Sequence, residues 1–382
     1  MFRYLTAGES HGPGLVAVVE GLPSGIEVTA ESLSDELARR RLGYGRGRRM
    51  RLEQDEIEFL GGVRFGKTLG SPVAILIRNT EWPKWKAEMS AAPGESDRPL
   101  TTPRPGHADL VGMMKYDTRD ARDILERASA RETAARTAVG FLAKRLLGVV
   151  GVTVFSHVVE IGSVASSGPT PSFSDLGAID ASPVRVFDAT AETEMIAEIE
   201  AARADRDTLG GVVEVVVEGL VAGIGSHVHG DRRIDARLAE ALMSIQAIKG
   251  VEIGDGFESA RRRGSDAHDE IYRTEGQYTR HTNRAGGTEG GMTVGGMLRV
   301  RAAMKPISTV MKPLDTVNVE TRQAEKAFRE RSDVIAVPAA GVVAETMVAI
   351  TLAQEMQRMF GGDTVGDFAA AVDRYRSRLE DF

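Results

Sequence analysis

Short apolar runs closed by glycine or proline alternate along this chain with longer stretches in which apolar residues return at helical spacing. Residues 15–19 form the first run. It ends at Glu20-Gly21, and Leu22-Pro23-Ser24-Gly25 has turn chemistry, so a strand is predicted there. Thr29 then offers a helix cap, Leu33 and Leu37 share a face, and Arg39, Arg40 and Arg41 suit the negative C-terminal end. Further strands are predicted at 56–60, 73–77, 152–159, 184–187 and 211–217. A helix is predicted over about 120–147, dense in small residues that let a flat group or another backbone come close. Asp235 reads as the cap of a helix bearing Leu238, Leu242 and Ile245 and closed by Gly250, and the remaining helices fall at 320–329, 341–360 and 367–379.

Strands and helices thus mix over the whole length. No linker or low-complexity stretch interrupts them, so residues 1–382 read as a single domain. One segment has an echo: Val18-Val19-Glu20-Gly21-Leu22 with Gly25-Ile26 recurs as Val216-Val217-Glu218-Gly219-Leu220 with Gly223-Ile224. Either a common strand-turn pattern recurs by chance, or two related halves pack about a pseudo-twofold axis.

Composition narrows the chemistry. The chain has 382 residues, 42% hydrophobic, which is ample for a core, and no cysteine. Disulfides, thiolate metal sites and a cysteine nucleophile are excluded. The N-terminal residues lack the pattern of a signal peptide and no later window approaches a membrane span, so a soluble, cytoplasmic protein is expected.

Charge carries the strongest signal. Arg39, Arg40, Arg41, Arg46, Arg48, Arg49 and Arg51 crowd together in a chain of formal net charge -7, with Gly43, Gly45 and Gly47 loosening the backbone between them. Such a run can be a solvated face, a nucleic-acid patch or an enclosed anion site. Crowded guanidiniums repel unless an anion relieves them, and they grip phosphate or carboxylate in a forked geometry. Nucleic acid fits poorly, because the chain is acidic overall and Tyr44 is the cluster's one aromatic residue. A small, multiply charged anion is the expected ligand.

Other motifs add proton chemistry. Gly8-Glu9-Ser10-His11-Gly12 and Arg104-Pro105-Gly106-His107-Ala108-Asp109 each set a histidine in a glycine-shaped loop, and histidine suits proton transfer near neutral pH. Neither has paired metal-ligand spacing, and His227-Val228-His229 reads as surface strand alternation, so no metal is expected. Arg127, Ser129 and Arg131 form a tight group in which the two arginines, one helical turn apart, are expected to share a helix face. Gly286-Gly287-Thr288-Glu289-Gly290-Gly291 leads into a strand ending at Lys305-Pro306-Ile307-Ser308-Thr309, where donors for a phosphate-bearing cofactor are available; the dinucleotide and nucleotide-loop fingerprints are absent. Asp333, if held in a dry pocket, is a candidate base.

Taken in order, these motifs, with Gly43-Tyr44-Gly45-Arg46-Gly47, Ser129-Ala130-Arg131-Glu132-Thr133 and Ile245-Gln246-Ala247-Ile248-Lys249-Gly250, closely resemble the chorismate synthase family across nearly the whole chain. The resemblance implies a single-domain α+β fold, a β-α-β sandwich with helices between antiparallel sheets, assembled as a homotetramer. It implies a lyase that eliminates phosphate from 5-enolpyruvylshikimate 3-phosphate in a 1,4-anti sense to give chorismate, using reduced FMN without net redox change. Carried over by position, Ser10, Arg40, Arg46, Arg49, Arg104, Arg131 and Arg331 are implied substrate ligands. His11 and His107 are implied to manage protons, and Asp333 to relay one. Arg127, Ser129, Ala130, Gln246, Ala247, Gly290, Lys305, Pro306, Ile307, Ser308, Thr309 and Arg331 are implied flavin contacts, with Arg40 and Arg46 a possible NADPH site. One departure stands at Val294 and Gly296, where the family pattern has asparagine and an acidic residue. A non-catalytic anion- or RNA-binding protein and a flavin reductase are the competing readings.

Overall fold

The computed structural model describes residues 2–45, 55–274, 276–328 and 333–382. Its first sheet is built from β1 (Arg3–Gly8), β2 (Gly14–Glu20), β3 (Glu56–Gly61) and β4 (Val73–Arg78), antiparallel in the order β1-β2-β4-β3, with α1 (Ala30–Arg41) between β2 and β3. Thr29 caps α1 as predicted, through a reciprocal capping box with Ser32. Three helices follow: α2 (Asp109–Tyr116), α3 (Arg122–Ala128) and α4 (Thr133–Gly148). The second sheet holds β5 (Thr153–Ile161), β6 (Gly211–Glu218), β7 (Ile248–Ile253) and β8 (Leu298–Met304), with α5 (Ala189–Ala204) and α6 (Ile234–Met243) in its connections. Two long helices close the chain, α7 (Val337–Phe360) and α8 (Val365–Glu380).

The second sheet runs β5-β6-β8-β7, antiparallel throughout, extended beyond β5 by the two-residue strand Val164–Ala165. Strand for strand this repeats the first sheet, and α1 and α6 occupy the same place in the two chain orders. The echo is therefore structural: Gly21 and Gly219 have φ of 80° and 81°, and Gly25 and Gly223 have 95° and 91°. These left-handed conformations are open to glycine at little cost, which explains why glycine recurs at both spots.

Helices α4 and α7 lie between the sheets. The inward residues Leu15, Ala17 and Val19 of β2 and Val213, Val215 and Val217 of β6 join one hydrophobic cluster with Ala138 and Leu142 of α4 and Val343 and Met347 of α7. The small residues foreseen on α4 do let another backbone approach: a Cβ at Gly140 would lie 2.3 Å from Thr346 Cγ2 and 2.8 Å from its Cα. Helix α7 has the length and apolarity of a membrane span, against expectation, but 94% of its apolar window is buried inside the fold, so it is a core helix here.

Several expected elements differ. The 184–187 run forms no strand, because Arg185 takes a φ of 58° and its side chain turns into the core. The 120–147 helix breaks at Ser129, whose ψ of 144° is extended, separating α3 from the short 3-10 turn Ala130–Glu132 and α4. Asp235 lies inside α6 and accepts from Arg233, which is the N-cap residue; Ser244 ends that helix and Gly250 sits in β7. Of the 320–329 helix, Ala324–Lys326 is instead a strand paired with Asp315–Val317.

Between the layers sits a buried carboxylate, Glu345 of α7. It accepts two bonds from Arg39 (2.8 and 3.0 Å), one from Lys144 (2.5 Å), one from Arg185 (3.1 Å) and two from Ser156, through its amide (2.9 Å) and hydroxyl (2.8 Å). Burial opposes its charge, but the facing cations hold its carboxyl well below the ordinary range. Burial also pulls the Arg185 guanidinium down to about 10, against the attraction of Glu345.

Two outcomes follow from this packing. Gly140→Ala drives a methyl into Thr346 and is expected to cost about 1–3 kcal/mol, read from the urea midpoint of unfolding. Glu345→Gln takes the shared counter-charge from buried Arg185 and part-buried Arg39 and Lys144 and should cost about 3–5 kcal/mol by the same measurement. Because the folded carboxyl lies below its unfolded value of 4.5, the Glu345 contribution is complete above that pH and is lost as acid drives the carboxylate to protonate. The wild-type midpoint should therefore fall more steeply below pH 4 than that of the Gln variant.

Candidate active site

The β1–β2 turn delivers Ser10 and His11, both buried. Glu126 of α3 fastens this turn three ways: its backbone carbonyl accepts from Ser10 N (3.0 Å), one carboxylate oxygen accepts from His11 N (2.7 Å), and the other meets His11 Nδ1 at 2.8 Å. Arg122, one turn earlier, donates to the same carboxylate (3.1 Å) and lies over the Trp85 ring, which also packs on the His11 imidazole. Burial raises the Glu126 pKa, but the bonds and charge from His11, with Arg122, leave it lowered overall.

The second histidine is built in the same manner. His107 Nδ1 makes a short bond to Asp109, the fully buried first residue of α2. Arg104 donates to that carboxylate at 2.8 and 3.2 Å, lies over the Phe328 ring, and reaches Thr309 Oγ1 at 2.9 Å. Burial opposes the charge on Asp109, yet His107 and Arg104 hold its carboxyl at about 2. Each histidine is thus fixed by a buried carboxylate, and each carboxylate by an arginine stacked on an aromatic ring.

Arg131 sits beside the first of these units. Its guanidinium donates to Asn79 Oδ1 (3.0 Å) and Asp55 Oδ1 (2.6 Å), while the Asn79 amide holds the carbonyls of Glu9 and Gly12, both at 2.9 Å. Ser129 Oγ lies 3.2 Å from Ser10 Oγ. Because the helix breaks at Ser129, Arg127 and Arg131 do not share a face: Arg127 turns to β1, donating to the Thr6 and Gly8 carbonyls, and Ala130 is exposed.

The arginine run begins at the end of α1. Arg39 is neutralised by Glu345, Asp180 and Glu36, so at that position protein carboxylates relieve the crowding; burial works against its charge, but Glu345 and Glu36 hold its pKa up. Arg40 is buried with Nη1 at 3.5 Å from Thr133 Oγ1, and Arg41 Nε stands 3.9 Å from Asp55. Arg46, Arg48, Arg49, Arg51 and Arg331 lie outside the described residues. The chain enters that run at Tyr44, whose amide binds the Pro183 carbonyl (2.6 Å), and at Gly45, whose carbonyl accepts from Val334 N (3.1 Å), next to Asp333.

The two histidine units are joined through the Gln246–Ala247 bend. Gln246 donates to Glu132 (3.2 Å), which also binds Thr6 and Arg136, and Ala247, at a φ of 67°, accepts from Lys305 N (3.0 Å). Lys305 Nζ makes a short bond to the Gly106 carbonyl beside His107. Lys305, Pro306, Ile307 and Ser308 then line a cleft of about 530 Å³ together with Pro105, Gly106, Lys312 and Lys326; Thr309 does not line it. Gly290 is exposed at the tip of the Thr288–Glu289 and Met292–Val294 hairpin, where Val294 pairs with Ala222 and donates its amide to Gly287. His227 and His229 are exposed in a loop, not a strand, and among the described residues no three acidic or histidine side chains form a metal-sized cluster.

Reading the sequence singled out both histidines, Arg104 and Arg131, but not Glu126, Asn79, Asp55 or Trp85, which are remote in sequence from what they hold. Asp109 was within reach: it lies two positions after His107 in the same loop motif.

Comparison with known proteins identifies the family. The family model described as chorismate synthase matches residues 2–357. The chorismate synthase of Rhodococcus opacus (strain B4) is 60% identical over 99% of this chain and 98% of its own length, and that of Acidothermus cellulolyticus is 60% identical over 99% of each. A crystal structure of chorismate synthase superposes with a TM-score of 0.80 at 40% identity, covering 100% of this chain and 99% of the other. With that match running through both sheets and both histidine loops, the chain belongs to the chorismate synthase family.

Proposed function

We propose that this chain converts 5-enolpyruvylshikimate 3-phosphate to chorismate by 1,4-anti elimination: the C–O bond to phosphate breaks, phosphate leaves with the bonding pair, and a ring hydrogen is lost. The observation that carries the reading is the pair of histidines each held at Nδ1 by a buried carboxylate, beside an arginine-rich anion site. That pairing fixes the ring tautomer and directs Nε2 to its proton-transfer task. His11 and His107 are assigned as the pair that manages the protons of the reaction. Ser10, Arg40, Arg46, Arg49, Arg104, Arg131 and Arg331 are assigned to the two carboxylates and the phosphate of the substrate. Preorganised guanidiniums in a dry site stabilise the charge that gathers on the departing group, at no reorganisation cost.

Reduced FMN, when bound, supplies transient electron density so that phosphate can depart, and it is recovered without net oxidation. The residues suit such a group: the cleft lies within the roughly 300–1,000 Å³ typical of small-molecule sites, and on its wall Lys305, Lys312 and Lys326 outnumber Asp207 and Asp315, the latter paired with Lys326, which leaves a net positive charge toward an anionic ligand. Lys305, Pro306, Ile307, Ser308 and Thr309, with Gln246, Ala247, Arg127, Ser129, Ala130, Gly290 and Arg331, are assigned to hold it. Asp333 is assigned as a proton relay, and Arg40 and Arg46 to NADPH where that reductant is used. The chain is further proposed to act as a single folding domain in a cytoplasmic homotetramer; the hydrophobic cluster shared by both sheets supports the first part.

Anaerobic mixing with reduced FMN and 5-enolpyruvylshikimate 3-phosphate should release many phosphates per flavin reduced, and release that stops after one turnover overturns the lyase reading. His107→Ala should lower kcat by about 10²–10⁴-fold with a much smaller change in KM. Asp109→Asn removes the acceptor that orients His107. It should reduce kcat by about tenfold or more while leaving the far-UV circular dichroism unchanged; an unaltered kcat would remove Asp109 from the proton-handling unit.

A further inference from the structure

The two histidine units share a plan but differ at one ring. Arg104 lies over Phe328, and among the described residues no aromatic ring stacks on the His107 imidazole itself. At the other unit the Trp85 ring stands 4.1 Å from the His11 imidazole, centroid to centroid, with the planes tilted by 33°. The same indole carries the Arg122 guanidinium at 4.8 Å. His11 Nδ1 and Arg122 Nη1 meet again at a single oxygen of Glu126, at 2.8 and 3.1 Å. Four side chains therefore close a cycle, from imidazole to carboxylate to guanidinium to indole and back to the imidazole.

Trp85 ends a short helical turn, Trp82–Trp85, at the start of the long excursion between β4 and α2. From residue 80 to residue 100 no side chain is buried, so core packing does not explain where this segment lies. Trp82 N donates to the Asn79 carbonyl (3.1 Å), Ala121 N donates to the Leu100 carbonyl (2.9 Å), and Glu88 stands 4.0 Å from Arg122. Between these attachments the indole is laid on the two cation-forming side chains that share Glu126. The contact matters for geometry, because χ2 of histidine is a broad torsion and one hydrogen bond at Nδ1 leaves the ring able to rock about that bond. Nε2, on the far side of the ring, would then sweep an arc. A flat face laid against the imidazole removes that freedom. Indole suits the task in both protonation states, since it stacks on the neutral ring and attracts the imidazolium through its π face.

We propose that Trp85 is a positioning residue of the reaction: its indole face fixes the plane of the His11 imidazole, so that Nε2 is presented to the site in one direction before and after it carries a proton. The proposal rests on the assignment of His11 to the proton-managing pair, and Trp85 acts through that ring. The charged groups around His11 are Glu126 and Arg122 from α3, Glu88 from the Trp85 segment by way of Arg122, and Glu9 in the histidine's own turn. All of them remain when Trp85 alone is replaced.

Turnover of Trp85→Leu and Trp85→Phe is compared with the wild type in the anaerobic assay with reduced FMN. Leucine keeps much of the bulk without the face and should lower kcat by about tenfold or more with KM within about threefold, whereas phenylalanine should recover most of the loss. A Leu variant with wild-type kcat, a loss confined to KM, or a Phe variant as slow as Leu each overturns the proposal and leaves the lyase reading standing, since turnover by the wild type tests that reading by itself. A second readout needs neither turnover nor a change at Trp85. The chain has two tryptophans, so in Trp82→Phe the indole emission comes from Trp85 alone. An imidazolium against the ring quenches it, and the emission should fall in a step as the pH is lowered through the range in which histidine takes up its proton. The step should be lost when His11→Asn is added to Trp82→Phe; emission without a step that depends on His11 overturns the proposal.

Discussion

A single buried carboxylate ties the two halves of this molecule together. Glu345 projects from α7, the closing helix of the second repeat, and takes up Ser156 of β5 on its own side and Arg39 of α1 and Lys144 of α4 on the other. An ionised group so deep is tolerable because every lone pair has a donor and three cations face it; the desolvation that would neutralise an isolated glutamate is outweighed. The consequence reaches the active site. Arg39 is the residue before Arg40, and once its guanidinium is committed to Glu345, Asp180 and Glu36, the C-terminal turn of α1 has a fixed rotation about its axis. The orientation of Arg40 and Arg41 on the same turn follows from it.

The same logic of a cation held by an acid recurs at the chemistry. Both histidines are paired to a carboxylate that is itself gripped by an arginine over an aromatic ring. An acidic chain can therefore build a cationic site: many of its carboxylates serve as anchors that orient guanidiniums and imidazoles, leaving the remaining cationic surface for ligand. Asn79 extends this order through neutral bonds, linking the His11 loop to Arg131 without adding charge.

Repetition explains the layout and asymmetry explains its use. Two sheets of the same strand order enclose α4 and α7, and the glycines at matching turns let each strand bend away into its helix. One sheet has a long connection that folds back over its outer face. In the other, Leu5, Val18 and Leu60 of that face stay exposed.

Most strands and the long helices were legible in the sequence because alternation and helical spacing are local, and burial follows them directly: β2, β3, β4, β5, β6, α7 and α8 appear close to where the pattern placed them. Two elements failed where a buried charge overrode local preference. The 184–187 run has strand composition, yet Arg185 must reach Glu345 and the backbone turns to let it. Ser129 is acceptable in a helix by propensity, but its extended backbone redirects Arg131 toward Asp55 and Asn79. By itself the sequence singled out the candidate proton-transfer side chains, the expectation of an anionic ligand and the repeat, since residue type and spacing carry all three. Only the tertiary structure decided which carboxylate serves which cation, because Glu126, Asp55, Asn79 and Glu345 reach their partners across 76 to 306 residues, or in the case of Asn79 52, and nothing local records such a distance.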